Sequence, residues 1–148
     1  MKSPVVLLAR EQKPLNVLGT KVSFLCEAEQ TDNKWSIMSI DVPFEKGPPP
    51  HHHPWDEAYY IVSGKIRFIL EDKVHFVSAG DFIYAPANSV HAFFGASAGI
   101  SKVLVFDSPS TAGGFFKDCH KQIKKLPSDL EKMPKIAEKY GLNFLKPE

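Results

Sequence analysis

From Glu57 to Phe106 the chain runs through short apolar or alternating segments, halts at a turn, and begins again. Tyr59-Tyr60-Ile61-Val62 stops at Ser63-Gly64. Ile66, Phe68 and Leu70 then alternate with Arg67 and Ile69 as far as the polar connection Glu71-Asp72-Lys73, and Val74 to Val77 resumes, which predicts a hairpin. Gly80-Asp81 marks a turn, Phe82 to Ala85 a strand, and Pro86-Ala87-Asn88-Ser89 a further turn before Val90 to Phe94 and Lys102 to Phe106. Upstream, Val22, Phe24 and Cys26 alternate with Lys21, Ser23 and Leu25, and Ile37 to Val42 is another β-branched run. Many short strands at regular spacing predict an all-β fold, a sandwich or a barrel. Twelve prolines and eleven phenylalanines among 148 residues suit short strands joined by turns.

Beyond Ser108-Pro109-Ser110 the period changes. Phe115, Cys119, Ile123 and Leu126 recur at helical spacing with lysines between them, and Gly113-Gly114 weakens the first turn. Pro134 opens a second short helix and Gly141 follows Tyr140 as its C-cap. The chain therefore divides into a β-barrel with N-terminal strands over 1–108 and a helical appendix over 109–148, packed on the barrel as part of one domain.

Composition narrows the function classes. Eighteen basic residues stand against seventeen acidic ones, a net charge of +1 that gives no argument for a nucleic-acid or membrane partner. Cys26 and Cys119 are too few for a disulfide scaffold and read as two thiols in a reducing compartment. Val5 to Ala9 is too short for a signal peptide, so the expected location is cytoplasmic.

The chemistry concentrates in Gly47-Pro-Pro-Pro-His51-His52-His53-Pro-Trp-Asp-Glu57. On a strand, His51 and His53 leave the same face and His52 the other. His91 lies in a separate strand after the Pro86 turn. Three imidazoles and the Glu57 carboxylate suit a divalent first-row metal (Fe, Mn, Ni, Co, Cu or Zn) with positions left for water or substrate. A solvated polar loop is the competing reading of the histidine run.

These spacings resemble the cupin superfamily. Its first motif places His-x-His, three or four residues, Glu, six residues and Gly; here His51-x-His53 is followed by three residues, Glu57, six residues and Gly64. Its second motif is matched by Gly80, Pro86, Asn88 in place of a glycine, His91, and Gly95 in place of an asparagine. Three residues separate Gly47 from His51 where the family usually has five. The resemblance implies a jelly-roll barrel, a double-stranded β-helix, with His51, His53, Glu57 and His91 as metal ligands. The tail, from Pro109 through Gly113-Gly114-Phe115-Phe116 to Tyr140-Gly141, is similar to that of small quercetin-dioxygenase-like cupins. It implies a metal-dependent dioxygenase acting on a small aromatic or enol-bearing molecule, with Glu57 as ligand, proton acceptor or both.

Trp55, Tyr59, Phe68 and Phe93 are candidate pocket residues, and Phe24, Trp35, Met38, Phe82 and Tyr84 are further aromatic or apolar candidates, although core packing explains them equally well. His75 and His120 read as solvent-facing. Two other functions stay open: an isomerase or lyase using the metal as a Lewis acid, and a non-catalytic small-molecule-binding cupin. Arg67 points away from the expected core, which weighs against a polar substrate. A homodimer is expected, with Val5 to Ala9 and Val17 to Ala28 as the contacting strands.

Overall fold

A computed structural model describes residues 2–145. The chain folds as two antiparallel sheets facing each other. One sheet has the order β1-β2-β3-β10-β5-β8, from Leu15–Val17, Thr20–Cys26, Ser36–Val42, Ser101–Ser108, Asp56–Ser63 and Phe82–Ala85. The other has the order β11-β4-β9-β6-β7, from Asn143–Phe144, His51–His52, His91–Gly95, Lys65–Leu70 and Lys73–Ser78. The sequence alternation becomes the two faces of each strand. On β5, Glu57, Tyr59 and Ile61 are buried, and on β10, Ser101, Val103, Val105 and Asp107 are buried. Met38, Ile40, Val42, Ile66, Phe68 and Phe93 fill the space between the sheets. Burying such side chains supplies the main stabilising term of a sandwich.

Two loop positions shape the barrel end. A Cβ at Gly47 would lie 1.9 Å from the carbonyl oxygen of Phe93, so only glycine lets the loop before β4 pass this close to β9. Asn88 takes φ 70°, the left-handed conformation the second-motif turn requires, and its N–H bonds the carbonyl of His53 at 2.8 Å.

The helical end departs from expectation in three ways. Helix α1 (Ala112–Gln122) stops before Ile123 because the N–H groups of Lys124 and Lys125 both turn to the Asp129 carboxylate at 2.8 Å. Gly114 does more than weaken the first turn: a Cβ there would lie 2.7 Å from the Tyr140 ring, which packs against the bare backbone. His120 is half-buried, and its Nδ1 accepts the Asn16 N–H at 3.1 Å, tying α1 to β1. Helix α2 (Met133–Lys139) begins at Pro134 as the sequence predicts.

At the N-terminus, Val5 to Leu8 is irregular and Ala9–Glu11 is a 3-10 turn, not a strand. The predicted Val17 to Ala28 strand is broken at Leu18-Gly19, where both residues have positive φ and the chain reverses from β1 into β2. No helix among the described residues is long and apolar enough to cross a membrane.

Candidate metal centre

Strand β4 is two residues long and ends before His53, yet both imidazoles reach the same space. His51 pairs directly with His91 across β4 and β9, with ring centroids 4.3 Å apart. His53 follows, its ring 5.6 Å from His51 and 4.9 Å from His91. One ligand atom from each of the three rings lies within 4.8 Å of the others. Glu57 comes from the opposite sheet, at the inward position of β5 that opposes Asp107 on β10. The site therefore spans both sheets.

Each ring is oriented by its own backbone. The Nδ1 atoms of His51, His53 and His91 lie 2.8, 3.0 and 3.0 Å from the carbonyl oxygens of Pro49, Trp55 and Ser89. A carbonyl only accepts, so Nδ1 carries the proton and Nε2 of a neutral ring presents a lone pair. The Nε2 atoms of His53 and His91 are buried and make no hydrogen bond among the described residues. His53 Nε2 nevertheless faces Glu57 Oε1 at 3.0 Å, and His91 Nε2 lies 3.9 Å from Oε2. Lone pairs held against a carboxylate call for a positive charge between them. Because the tautomers are already fixed for ligation, a divalent transition metal fits this donor set.

Burial lowers the His51 pKa to about 3 and also lowers that of His91, keeping both rings neutral. Burial alone would raise the Glu57 pKa, but a positive charge and hydrogen bond at His53 (a proton or a cation on its Nε2), charge at His91 and the Tyr59 hydroxyl hold it below the usual carboxylate range. The Trp55 indole donates to Glu57 Oε1 at 2.9 Å, and the Tyr59 hydroxyl donates to Oε2. Trp55 also stacks flat on His53, with centroids 3.9 Å apart.

A pocket adjoins the histidines, lined by Trp55, Glu57, Tyr59, Phe93, Val105, Phe115, Phe116, Leu142 and Phe144 among others. Three of the four predicted pocket residues line it. Phe68 does not: it sits in the core behind His91, stacked on that ring and on Phe93. Trp35, Phe82 and Tyr84 are exposed and lie outside the pocket; on β8, Ile83 and Ala85 occupy the inward parity and turn Phe82 and Tyr84 outward.

Sequence reasoning missed Asp107, whose carboxylate accepts hydrogen bonds from the Ser36 hydroxyl and the Ala112 N–H at the start of α1. Burial pushes its pKa up to about 6. The alternation of Val103, Val105 and Asp107 was its only signal. Phe144 was missed as well, since a two-residue strand leaves no pattern.

Comparison with known proteins agrees with this architecture. The Cupin domain family model matches residues 39–107. A 59-residue stretch is 30% identical to an uncharacterized protein of Streptomyces coelicolor, covering 40% of this chain and 56% of that protein, so the match spans little more than half the curated relative's length. KdgF from Halomonas sp. superposes with TM-score 0.66 at 20% identity, over 72% of this chain and 94% of its own. The polyketide cyclase RemF from Streptomyces resistomycificus superposes with TM-score 0.64 at 17% identity, over 91% and 97%. The nucleoside dehydratase Pac13 of Streptomyces superposes with TM-score 0.59 at 21% identity, over 72% and 83%. Identities this low speak to fold alone. Two facing antiparallel sheets, a short helical part, and a match to the Cupin domain model over residues 39–107 together give this chain the cupin fold.

Proposed function

We propose that the chain is a metal-dependent cupin enzyme of the quercetinase type, a dioxygenase acting on a small aromatic or enol-bearing molecule. One observation carries the reading: buried imidazole lone pairs face an ionised Glu57 at the floor of an apolar pocket. His51, His53 and His91 would hold a divalent transition metal, with Glu57 as fourth ligand or neighbouring base. A bound ion of this kind supplies Lewis acidity to an enol or phenol oxygen.

The chain's own residues supply the rest. Glu57 is ionised and within the pocket, so it is placed to take a proton from a substrate hydroxyl. Trp55 and Tyr59 each donate to one of its oxygens, fixing the carboxylate plane. Phe93, Val105, Phe115 and Phe116 form apolar walls that exclude water and pack against a planar ring. No lysine or arginine lines the pocket among the described residues, which disfavours a sugar acid or phosphate.

Oxygen uptake by protein loaded separately with Fe, Mn, Ni, Co and Cu, over a panel of flavonols and diketones, tests the reading. Consumption with at least one metal is expected; none across the panel overturns the dioxygenase. A metal-assisted cyclisation or dehydration is the second reading, prompted by the likenesses to the polyketide cyclase RemF, which extends over 91% of this chain, and to the nucleoside dehydratase Pac13. Product formation without oxygen consumption would favour it. A non-catalytic binding cupin would show neither.

A homodimer belongs to the same proposal. The exposed aromatics Tyr60, Phe82, Tyr84 and Phe106 on the six-stranded sheet support it, in place of the predicted Val5 to Ala9 contact. A light-scattering mass of 16.5 kDa would contradict it.

A further inference from the structure

The pocket beside His51 has a volume of about 60 Å³. A dry cavity of about 150 Å³ is the size that takes up a benzene ring. An aromatic ring entering this narrow space would press on its walls, so the wall that yields most easily governs what reaches His51.

The walls differ in how firmly they are held. Strands β5 and β10 pair with each other over seven positions, and each has a second neighbour on its far side. Helix α1 is anchored by buried Phe115 and Cys119, by His120 on Asn16, and by Asp118, which accepts from the Tyr140 hydroxyl at 2.5 Å and pairs with Lys139. Strand β11 is held far less. Among the described residues it pairs with β4 alone, at Asn143 opposite His52 and Phe144 opposite His51, with a further bond from the Leu145 N–H to the Pro50 carbonyl; just before it, buried Leu142 is held by its N–H on the Ala137 carbonyl. Asn143 and Leu145 are exposed. Two side chains of this segment, Leu142 and Phe144, nonetheless line the pocket, and the Phe144 ring lies 5.8 Å from that of His51.

We propose that residues 143–145, pivoting on buried Leu142, form a displaceable wall of the pocket, and that Phe144 sets the size of molecule that reaches His51. The identity of the substrate rests on the reading above; the movement of the wall does not. Peeling β11 from β4 breaks few hydrogen bonds and uncovers His51 from the side where, among the described residues, no other strand lies. Segments with few buried contacts and an unpaired edge open at low free energy.

The test uses the full chain. Trp35 and Trp55 are the only tryptophans, so W35F leaves Trp55, which lines the pocket, as the sole reporter. In this background N143C/H52C would bridge the two strands, since paired Cα atoms lie about 5.5 Å apart, within disulfide range. The expected result is that oxidising the pair lowers acrylamide quenching of Trp55 about tenfold and that reduction with a phosphine restores it. F144A should raise both the quenching and the rate at which 3-hydroxyflavone enters the cobalt-loaded protein. The H52C single variant, treated identically, controls for the lost imidazole. Unchanged quenching on locking, or F144A quenching equal to that of the parent, overturns the proposal. The quenching is read without metal, so a failure to bind cobalt counts against the metal centre and leaves this result standing by itself.

Discussion

Nε2 of His53 lies 3.0 Å from Oε1 of Glu57, while the ring's other nitrogen is committed to the Trp55 carbonyl. Two acceptors this close, both buried, repel unless a cation sits with them. A divalent metal should therefore stabilise the fold. At a hundredfold excess over Kd the gain is about 2.7 kcal/mol, and each kcal/mol raises Tm by roughly 2–4 °C in a chain of this size. Thermal unfolding with and without a chelator reads the effect. H91A should abolish the metal-dependent rise, and a parent protein that no transition metal stabilises would remove the metal centre.

Tyr59 is buried, and its hydroxyl serves the Glu57 carboxylate. Y59F keeps the ring and removes that donor. A hydrogen bond to a charged group contributes about 1.5–3 kcal/mol, so a loss of that order is expected. Urea midpoints of the two proteins give the number. An unchanged midpoint would mean that the hydroxyl does not support the carboxylate.

Acid should destabilise the metal-free protein through its buried histidines. His51 falls to about 3 by burial, below its ordinary 6.5, and His91 is lowered as well. The unfolded chain binds these protons first, so their stabilising contribution is whole above pH 6.5 and drains away as pH falls toward 3. Urea denaturation between pH 7.5 and pH 4.5 should show a falling midpoint, and H51Q should flatten the slope.

Asp107 acts in the opposite sense. Burial lifts its pKa from 3.8 to about 6, so ionising it costs the folded chain more than the unfolded one. Its contribution is present below pH 3.8 and is lost as pH rises through 6, an effect of at most ~3 kcal/mol. D107N can still accept from Ala112 and donate to Ser36. The stability difference between D107N and the parent should therefore shift in favour of D107N as the pH is raised from 4.5 to 7.5. A constant difference would mean that Asp107 titrates normally.

The neighbouring glycines of α1 should answer alanine substitution with opposite signs. A Cβ at Gly113 meets the Phe24 ring at 3.4 Å, an ordinary contact, so G113A should gain up to about 1 kcal/mol from helix propensity. At Gly114 the Cβ would stand 2.7 Å from the Tyr140 ring and 2.9 Å from its oxygen. Tyr140 must then shift off Asp118, and G114A should lose about 1–3 kcal/mol despite the same propensity gain. Equal effects at both sites would refute the packing argument.

The strands and the histidine cluster were legible because both depend on spacing. Phe82 to Ala85 was read with its observed bounds, and His91 meets His51 across forty positions as the motif implies. Parity was harder to assign: period two shows that Phe82 and Ile83 face opposite ways, but the inward choice is made by Tyr59, which Ile83 opposes on β5. The end of α1 followed from a tertiary event, the capture of two N–H groups by Asp129, which no helical spacing encodes. Asp107 resembled any acid near a strand end until its neighbours became known.

Strand β4 stands between Pro50 and Pro54 and is only two residues long. A slip of a single residue would set His52 opposite His91 and turn His51 outward. Proline supplies no N–H for an alternative ladder. The prolines thus index the histidine run like a pin in a keyway, so that of three consecutive imidazoles the same two always enter the barrel.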